Sequence, residues 1–174
     1  YATYPYLKNE SSYANYLFVK FSANKEETRP EIIGFAEKLI NEGDEKSLTV
    51  AHRIYRSLEM SDEMEKLEKI AIKKYPNGQI AKDNFFRKFY STEDKSETYI
   101  LNGLEEYVET FNDTTDGSMR QFYYPLLTLY LDNRDMLKLM EYEDKITDKL
   151  FIASIYNNNA WVLSGQDLTS PGND

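Results

Sequence analysis

The sequence predicts an all-α protein, a superhelix of stacked antiparallel helical hairpins, and three observations carry that expectation. Glycine is scarce, 7 of 174 residues, or about 4% against a typical ~7%, too few for the many tight turns of a sandwich or barrel. Apolar residues recur three and four apart, and no segment sustains strand alternation. Taken two helices at a time, the caps and turn signals recur with a period in the thirties of residues, the range of helical solenoids.

Each element follows from its own signals. Ser12 can cap a first helix with Tyr13, Tyr16, Leu17 and Phe21 inward. Thr28 with Glu31 reads as a capping box, with Pro30 in the first turn, where its missing N–H costs little. Ile32, Ile33, Ala36, Leu39 and Ile40 form the stripe that follows, and Gly43 ends it. Asp44 caps a helix with Leu48, Ala51, Ile54, Tyr55 and Leu58 inward. Ser61 caps one with Met64, Leu67, Ile70 and Ala71, closed by Tyr75, Pro76, Asn77 and Gly78. Ile80, Ala81, Phe85, Phe86, Phe89 and Tyr90 mark another helix. After Thr92 or Asp94, the stripe Tyr99, Ile100, Leu104, Tyr107, Val108 and Phe111 marks the next.

Beyond Asp116 and Gly117 come Met119, Phe122, Tyr123, Leu126, Leu127 and Tyr130. Pro125 lies inside that stripe and predicts a kink, because it removes an amide donor and its ring meets the preceding turn. Met136, Leu137 and Met140 give a shorter helix, and Leu150 through Leu163 a last one carrying Tyr156, Ala160 and the only Trp, Trp161. Paired as hairpins, the helices form units starting near Ser12, Asp44, Asn77, Gly117 and Asp148, read as a single helical-repeat domain over residues 1–174.

Charge narrows the function classes. Lys plus Arg number 21 and Asp plus Glu 30, a net charge of −9 with a pI near 4.8. Such a chain offers no broad positive field for phosphate backbones or anionic lipid, so nucleic acid is not an expected partner. The longest apolar runs, Tyr123–Leu127 and Leu150–Ala153, fall far short of the ~18 residues a membrane span requires. With no cysteine, these residues hold no disulfide, no thiolate zinc site and no thiol chemistry. The chain opens on Tyr1 and breaks off in Ser170, Pro171, Gly172, Asn173 and Asp174, and is expected to be a fragment of a longer protein.

The clearest unit, Glu45 to Gly78, carries Leu48, Ala51 and Tyr55 on its first helix, Ala71 on its second and Pro76 at its close. In these residues it resembles the tetratricopeptide repeat. His52, Met64 and Glu68 depart from that pattern, standing where the family usually has a small residue, Ala and an aromatic. The run Tyr156, Asn157, Asn158, Asn159, Ala160, Trp161 looks like the first helix of another such repeat, whose second helix is missing. Over most of the chain, the hairpins closing in Lys73 to Gly78 and the later Tyr156–Trp161 stretch resemble the helical region of bacterial extracytoplasmic thioredoxin-like proteins, thiol:disulfide oxidoreductases in which such hairpins precede a redox domain. That resemblance implies a periplasmic or cell-envelope protein whose redox cysteines lie outside these residues. No functional residue carries over, since no Cys-x-x-Cys is present.

Little else carries chemistry. His52 is the only histidine, which excludes a multi-histidine metal site, and in mid-helix it reads as a partly buried packing residue rather than an acid or base. Asn112, Thr114, Asp116 and Gly117 outline the start of a calcium loop, but Tyr123 stands where the closing bidentate Glu belongs, so they read as a turn plus a helix cap. Glu105, Glu106 and Glu109, and Glu141, Glu143 and Asp144, read as solvated helix faces. There is no phosphate loop and no nucleophile elbow, and neither a catalytic residue nor a cofactor is assigned.

The functional excess is aromatic, 15 Tyr and 9 Phe. Most lie on the stripes; the off-stripe Tyr124 and Tyr142 are the candidates for partner contact. Two readings follow. In the first, the chain is a non-catalytic interaction module that grips a protein or peptide partner or positions a linked redox domain. In the second, exposed tyrosines stack on sugar rings, as in the helical-repeat proteins of outer-membrane glycan uptake.

Overall fold

A computed structural model of the protein describes residues 9–167, with side chains described through residue 160. Among the described residues there are nine helices and no strand, so the chain is all-α. They are α1 (Glu10–Ala23), α2 (Lys25–Glu42), α3 (Glu45–Ser57), α4 (Ser61–Lys74), α5 (Gln79–Ser91), α6 (Glu97–Phe111), α7 (Asp116–Asp132), α8 (Met136–Glu143) and α9 (Lys149–Asp167). None is long and apolar enough to cross a membrane.

The period expected from the sequence is present in the helix starts. The odd-numbered helices begin at Glu10, Glu45, Gln79, Asp116 and Lys149, steps of 35, 34, 37 and 33 residues. A recurring contact accompanies the period. The carboxylate on the first residue of α1, α3 and α7 reaches the start of the next odd-numbered helix: Glu10 lies 3.5 Å from the Lys46 ammonium, Glu45 accepts the Gln79 N–H at 3.0 Å, and Asp116 accepts the Thr147 hydroxyl at 3.0 Å. The Glu45 bond fills one of the amide donors that a helix start leaves unpaired.

The chain divides into two compact units, one ending at Phe85 and the other beginning at Phe86. In the first, α1 and α2 turn sharply about Asn24, whose N–H closes α1 on the Lys20 carbonyl while its side chain caps α2 at the Glu27 N–H. Tyr13 and Phe35, eleven residues either side of Asn24, meet edge to face with ring centroids 4.8 Å apart, so the helices run antiparallel. The core is built from Leu17, Ile32, Leu39, Leu48, Ile54 and Leu67. Gly43 ends α2 in the left-handed region (φ 71°), where a side chain is strained. Its carbonyl accepts both the Lys74 ammonium (2.6 Å) and the Tyr75 hydroxyl (3.1 Å), tying the end of α4 to the end of α2.

In the second unit, Phe86, Phe89, Tyr107, Phe111 and Phe122 form an aromatic core with neighbouring ring centroids 4.8 to 5.5 Å apart. Gly103 on α6 is buried against the Phe89 ring, leaving no room for a Cβ. Pro125 lies inside α7, which continues to Asp132. Its missing N–H frees the Gln121 carbonyl, and the Tyr90 hydroxyl of α5 donates to that carbonyl at 2.5 Å.

Four helix starts differ from expectation, three of them because another side-chain acceptor lies a few residues away. Asn9, rather than Ser12, caps α1; Asn24, rather than Thr28, caps α2, leaving Thr28 buried inside the helix; Ser96, rather than Thr92 or Asp94, caps α6. At α4 the cap position is Met60, with Ser61 the first helical residue and no side-chain cap. Asp116 and Gly117 open α7 from within its first turn.

Two stripes also rotate. On α4, Ile70 faces outward and Glu68 takes the buried place beside Leu67 and Ala71. On α8, Met136, Leu137 and Met140 are exposed, Leu137 by 84%, while Leu139 is buried. The stripe Leu139, Tyr142, Ile146 continues past the end of α8 and sets the phase of this two-turn helix. In α9, Ile152, Ile155 and Asn159 are buried and Ala160 is exposed, whereas the side chains of Trp161 and Leu163 lie outside the described residues.

Candidate functional site

The site grows from α3, whose two faces have different tasks. Leu48, Ala51, Ile54 and Tyr55 point into the core. The opposite face carries Lys46, Thr49, Arg53 and Arg56, three or four residues apart, and lines an open cleft of about 710 Å³ with Ser11 of α1 and Asp83 of α5. Three successive odd-numbered helices therefore contribute to one concavity within the first unit.

His52 forms part of the cleft wall and is itself buried. The α3–α4 hairpin folds back so that His52 and Glu68, sixteen residues apart, meet: Nε2 lies 2.8 Å from Glu68 Oε1. Both side chains are nine-tenths or more buried. A carboxylate bonded to one ring nitrogen fixes the imidazole's orientation. These are two of the three positions at which the hairpin departs from the tetratricopeptide pattern. His52 is thus buried, with a polar partner that the sequence pattern did not identify.

The charged groups of the cleft differ in how far they are occupied. The Arg53 guanidinium donates to Asn15 Oδ1 at 3.1 Å and stacks over the Phe18 ring at 5.4 Å, which holds it against α1. Arg56 is exposed and forms no ion pair among the described residues. The acids are internally engaged. Asp44 caps α3, accepting the Ser47 hydroxyl (2.6 Å) and N–H (3.0 Å), bonds that hold its carboxyl below the usual range. Glu45 accepts from the Gln79 N–H and Asp83 from the Gln79 side-chain amide at 2.7 Å.

The second unit has a smaller cavity of about 290 Å³, walled by Leu104, Val108, Met119 and Ile146. Both of its cations are engaged: Arg120 is paired with Asp148 and stacked on Phe151, and Lys145 is paired with Glu141. Tyr124 and Tyr142 line neither cavity. Tyr124 is exposed on α7; Tyr142 is half-buried, packed against Tyr130 at 5.6 Å with the Lys145 ammonium 4.0 Å over its ring.

The turn after α6 is a cap. Asn112 takes the left-handed conformation, and Asp113 accepts from the Tyr107 and Ser118 hydroxyls and from Thr115. Among the described residues no group of three or more His, Asp and Glu side chains is arranged to hold a metal ion.

No family model, curated protein or solved structure matches the chain.

Proposed function

We propose that this chain is a non-catalytic helical-repeat module that binds a protein or peptide partner. On this reading it is the N-terminal partner-binding or scaffolding region of an exported, tetratricopeptide-like and thioredoxin-like bacterial protein of the periplasm or cell envelope, with the redox domain elsewhere in the full chain. The observation that carries the binding reading is the α3 cleft, to which three consecutive odd-numbered helices contribute. A concavity repeated along a stack is the surface on which helical arrays hold extended segments. Its size lies in the range of ligand sites, ~300–1,000 Å³.

Panning a random peptide library against the 174-residue chain tests this. Selected peptides should lose binding to Thr49→Trp, which fills the cleft from a half-buried position on its wall. Peptides that bind Thr49→Trp as well as the parent refute the cleft as the binding surface.

A further inference from the structure

The cavity of the second unit differs in kind from the α3 cleft. Leu104 and Val108, four apart on α6, line it together with Met119 and Tyr123 of α7 and Ile146 of the turn after α8. Leu104, Val108 and Tyr123 lie on the apolar stripes of their helices, yet each is only half-buried. Side chains that the pattern assigns to a core are here left open to a cavity, and an apolar occupant removes their contact with water.

The charges on the lining balance, and each is engaged. Asp116 and Asp148 stand against Arg120 and Lys145, a net of zero. Arg120 is paired with Asp148, which also accepts the Leu150 and Phe151 N–H groups at the start of α9. Lys145 is paired with Glu141 at 3.0 Å, and Asp116 accepts the Thr147 hydroxyl. An ion entering the cavity would exchange water for a wall of no net charge, so charge complementarity calls for a neutral ligand. Two side-chain hydroxyls on the lining, Tyr123 and Thr114, form no hydrogen bond among the described residues, and each can donate or accept one.

We infer that this cavity takes an uncharged two-ring aromatic group whose own polar atom bonds the Tyr123 hydroxyl. Benzene fills an engineered apolar cavity of about 150 Å³, so about 290 Å³ is room for roughly two fused rings. The Met119 thioether at the wall favours an aromatic occupant over an aliphatic one, because sulfur makes attractive contacts with ring edges. Apolar walls with a few convergent polar groups are the usual composition of a small-molecule site.

The test is isothermal titration calorimetry of the 174-residue chain at pH 7 with neutral 2-naphthol and with two ions of similar size, 2-naphthoate and 2-naphthylmethylammonium. 2-Naphthol should bind about tenfold more tightly than either ion, or better. Tyr123→Phe should weaken it roughly two- to tenfold, the worth of one hydrogen bond. Val108→Trp, which fills the cavity from its wall, should abolish binding in a protein that circular dichroism shows to be folded. Methyl NMR of the parent gives a reading that needs no variant: 2-naphthol should shift the Met119, Leu104, Val108 and Ile146 methyls. N-acetyltryptophanamide carries the same chemistry on a peptide backbone; if it binds more tightly than 2-naphthol the group is a partner's side chain, and if more weakly, a free molecule. Equal or tighter binding of either ion overturns the neutral assignment. Methyl shifts centred elsewhere, or binding that Val108→Trp leaves unchanged, overturn the site. Loss of 2-naphthol binding in Thr49→Trp places the ligand in the α3 cleft and overturns it too. No heat and no methyl shift with any of these compounds at millimolar concentration overturns the inference and leaves the partner-binding reading of the α3 cleft to its own test.

Discussion

Gly103→Ala sets two physical effects against each other, and the structure decides the sign. In a helix interior, alanine is favoured over glycine by ~0.8–1.0 kcal/mol, so propensity alone predicts a more stable protein. A Cβ on Gly103 would lie 2.5 Å from Phe89 Cε2 and 2.8 Å from its Cδ2, against the ~3.5–4.0 Å at which carbon atoms rest in contact. The ring must therefore yield by about 1 Å. It has little freedom to do so, being stacked on Tyr99 (5.2 Å, 11°) and set edge-on to Phe122 (5.1 Å) and Tyr90 (5.2 Å). Overpacking a closed core costs ~1–3 kcal/mol, and a ring hemmed in on three sides belongs in the upper part of that range. The net expectation is a loss of about 1–2 kcal/mol, which lowers Tm by roughly 2–8 °C for a chain of this length. Thermal melts followed by far-UV circular dichroism measure it, and the same substitution in a Phe89→Leu background should cost less. An unchanged or raised Tm would refute the close α5–α6 approach.

Four further outcomes follow from other contacts. Tyr90→Phe should cost ~0.5–1.5 kcal/mol in the parent and measurably less in a Pro125→Ala background, where the restored amide can bond Gln121; equal costs in urea melts would show that the hydroxyl does not serve the freed carbonyl. Glu68→Ala should cost ~1–3 kcal/mol by leaving His52 buried and unpaired, while His52→Ala combined with Glu68→Phe, the residue types of the repeat pattern, should fall within about 1 kcal/mol of the parent. Ala71→Leu should lower stability by ~1–3 kcal/mol in thermal melts, because Ala71 is buried in the core between α3 and α4. Glu31 is held below the carboxylate range by its bond to Lys20, and Glu97 by its bonds to Lys138 and Tyr130; their contribution is therefore present above the unfolded value near ~4.3 and lost as pH falls through the depressed folded values. The urea midpoint should drop below about pH 4.5, and Glu97→Gln should flatten that drop.

The sequence made the repeat legible because its signals are local. Asp44, Gly43 and the Leu48, Ala51, Ile54, Tyr55 stripe act within a few residues, and each appears in the structure as expected. Cap choice was less legible because several acceptors compete within one turn: Asn9 against Ser12, Asn24 against Thr28, and Ser96 against Asp94. The phase of α8 depends on where the buried stripe continues beyond the helix, to Ile146, so the apolar residues inside it did not reveal it. The cleft was least legible. Lys46, Arg53 and Arg56 repeat at helical spacing on α3, a signal available in the sequence, but the concavity arises only when α1 and α5 approach that face. The His52–Glu68 pair left a trace as paired departures from the repeat pattern, one on each helix of the same hairpin.

Such departures can be sorted by whether a neighbouring residue compensates them. Pro125 breaks the rule against proline inside a helix, and Tyr90 supplies the donor that its ring removes. Gly103 lowers the intrinsic helicity of α6 and in return admits the Phe89 ring. Both compensations are complete within the core or beside it, so these residues are explained by folding alone. His52 and Glu68 satisfy each other by a hydrogen bond, yet they occupy positions where an apolar pair would serve the core without burying polar groups. A buried polar pair in the wall of a concavity lined by charges of both signs is a local conflict of the kind that stability does not require. It gives the cleft wall an imidazole whose ring is fixed in place.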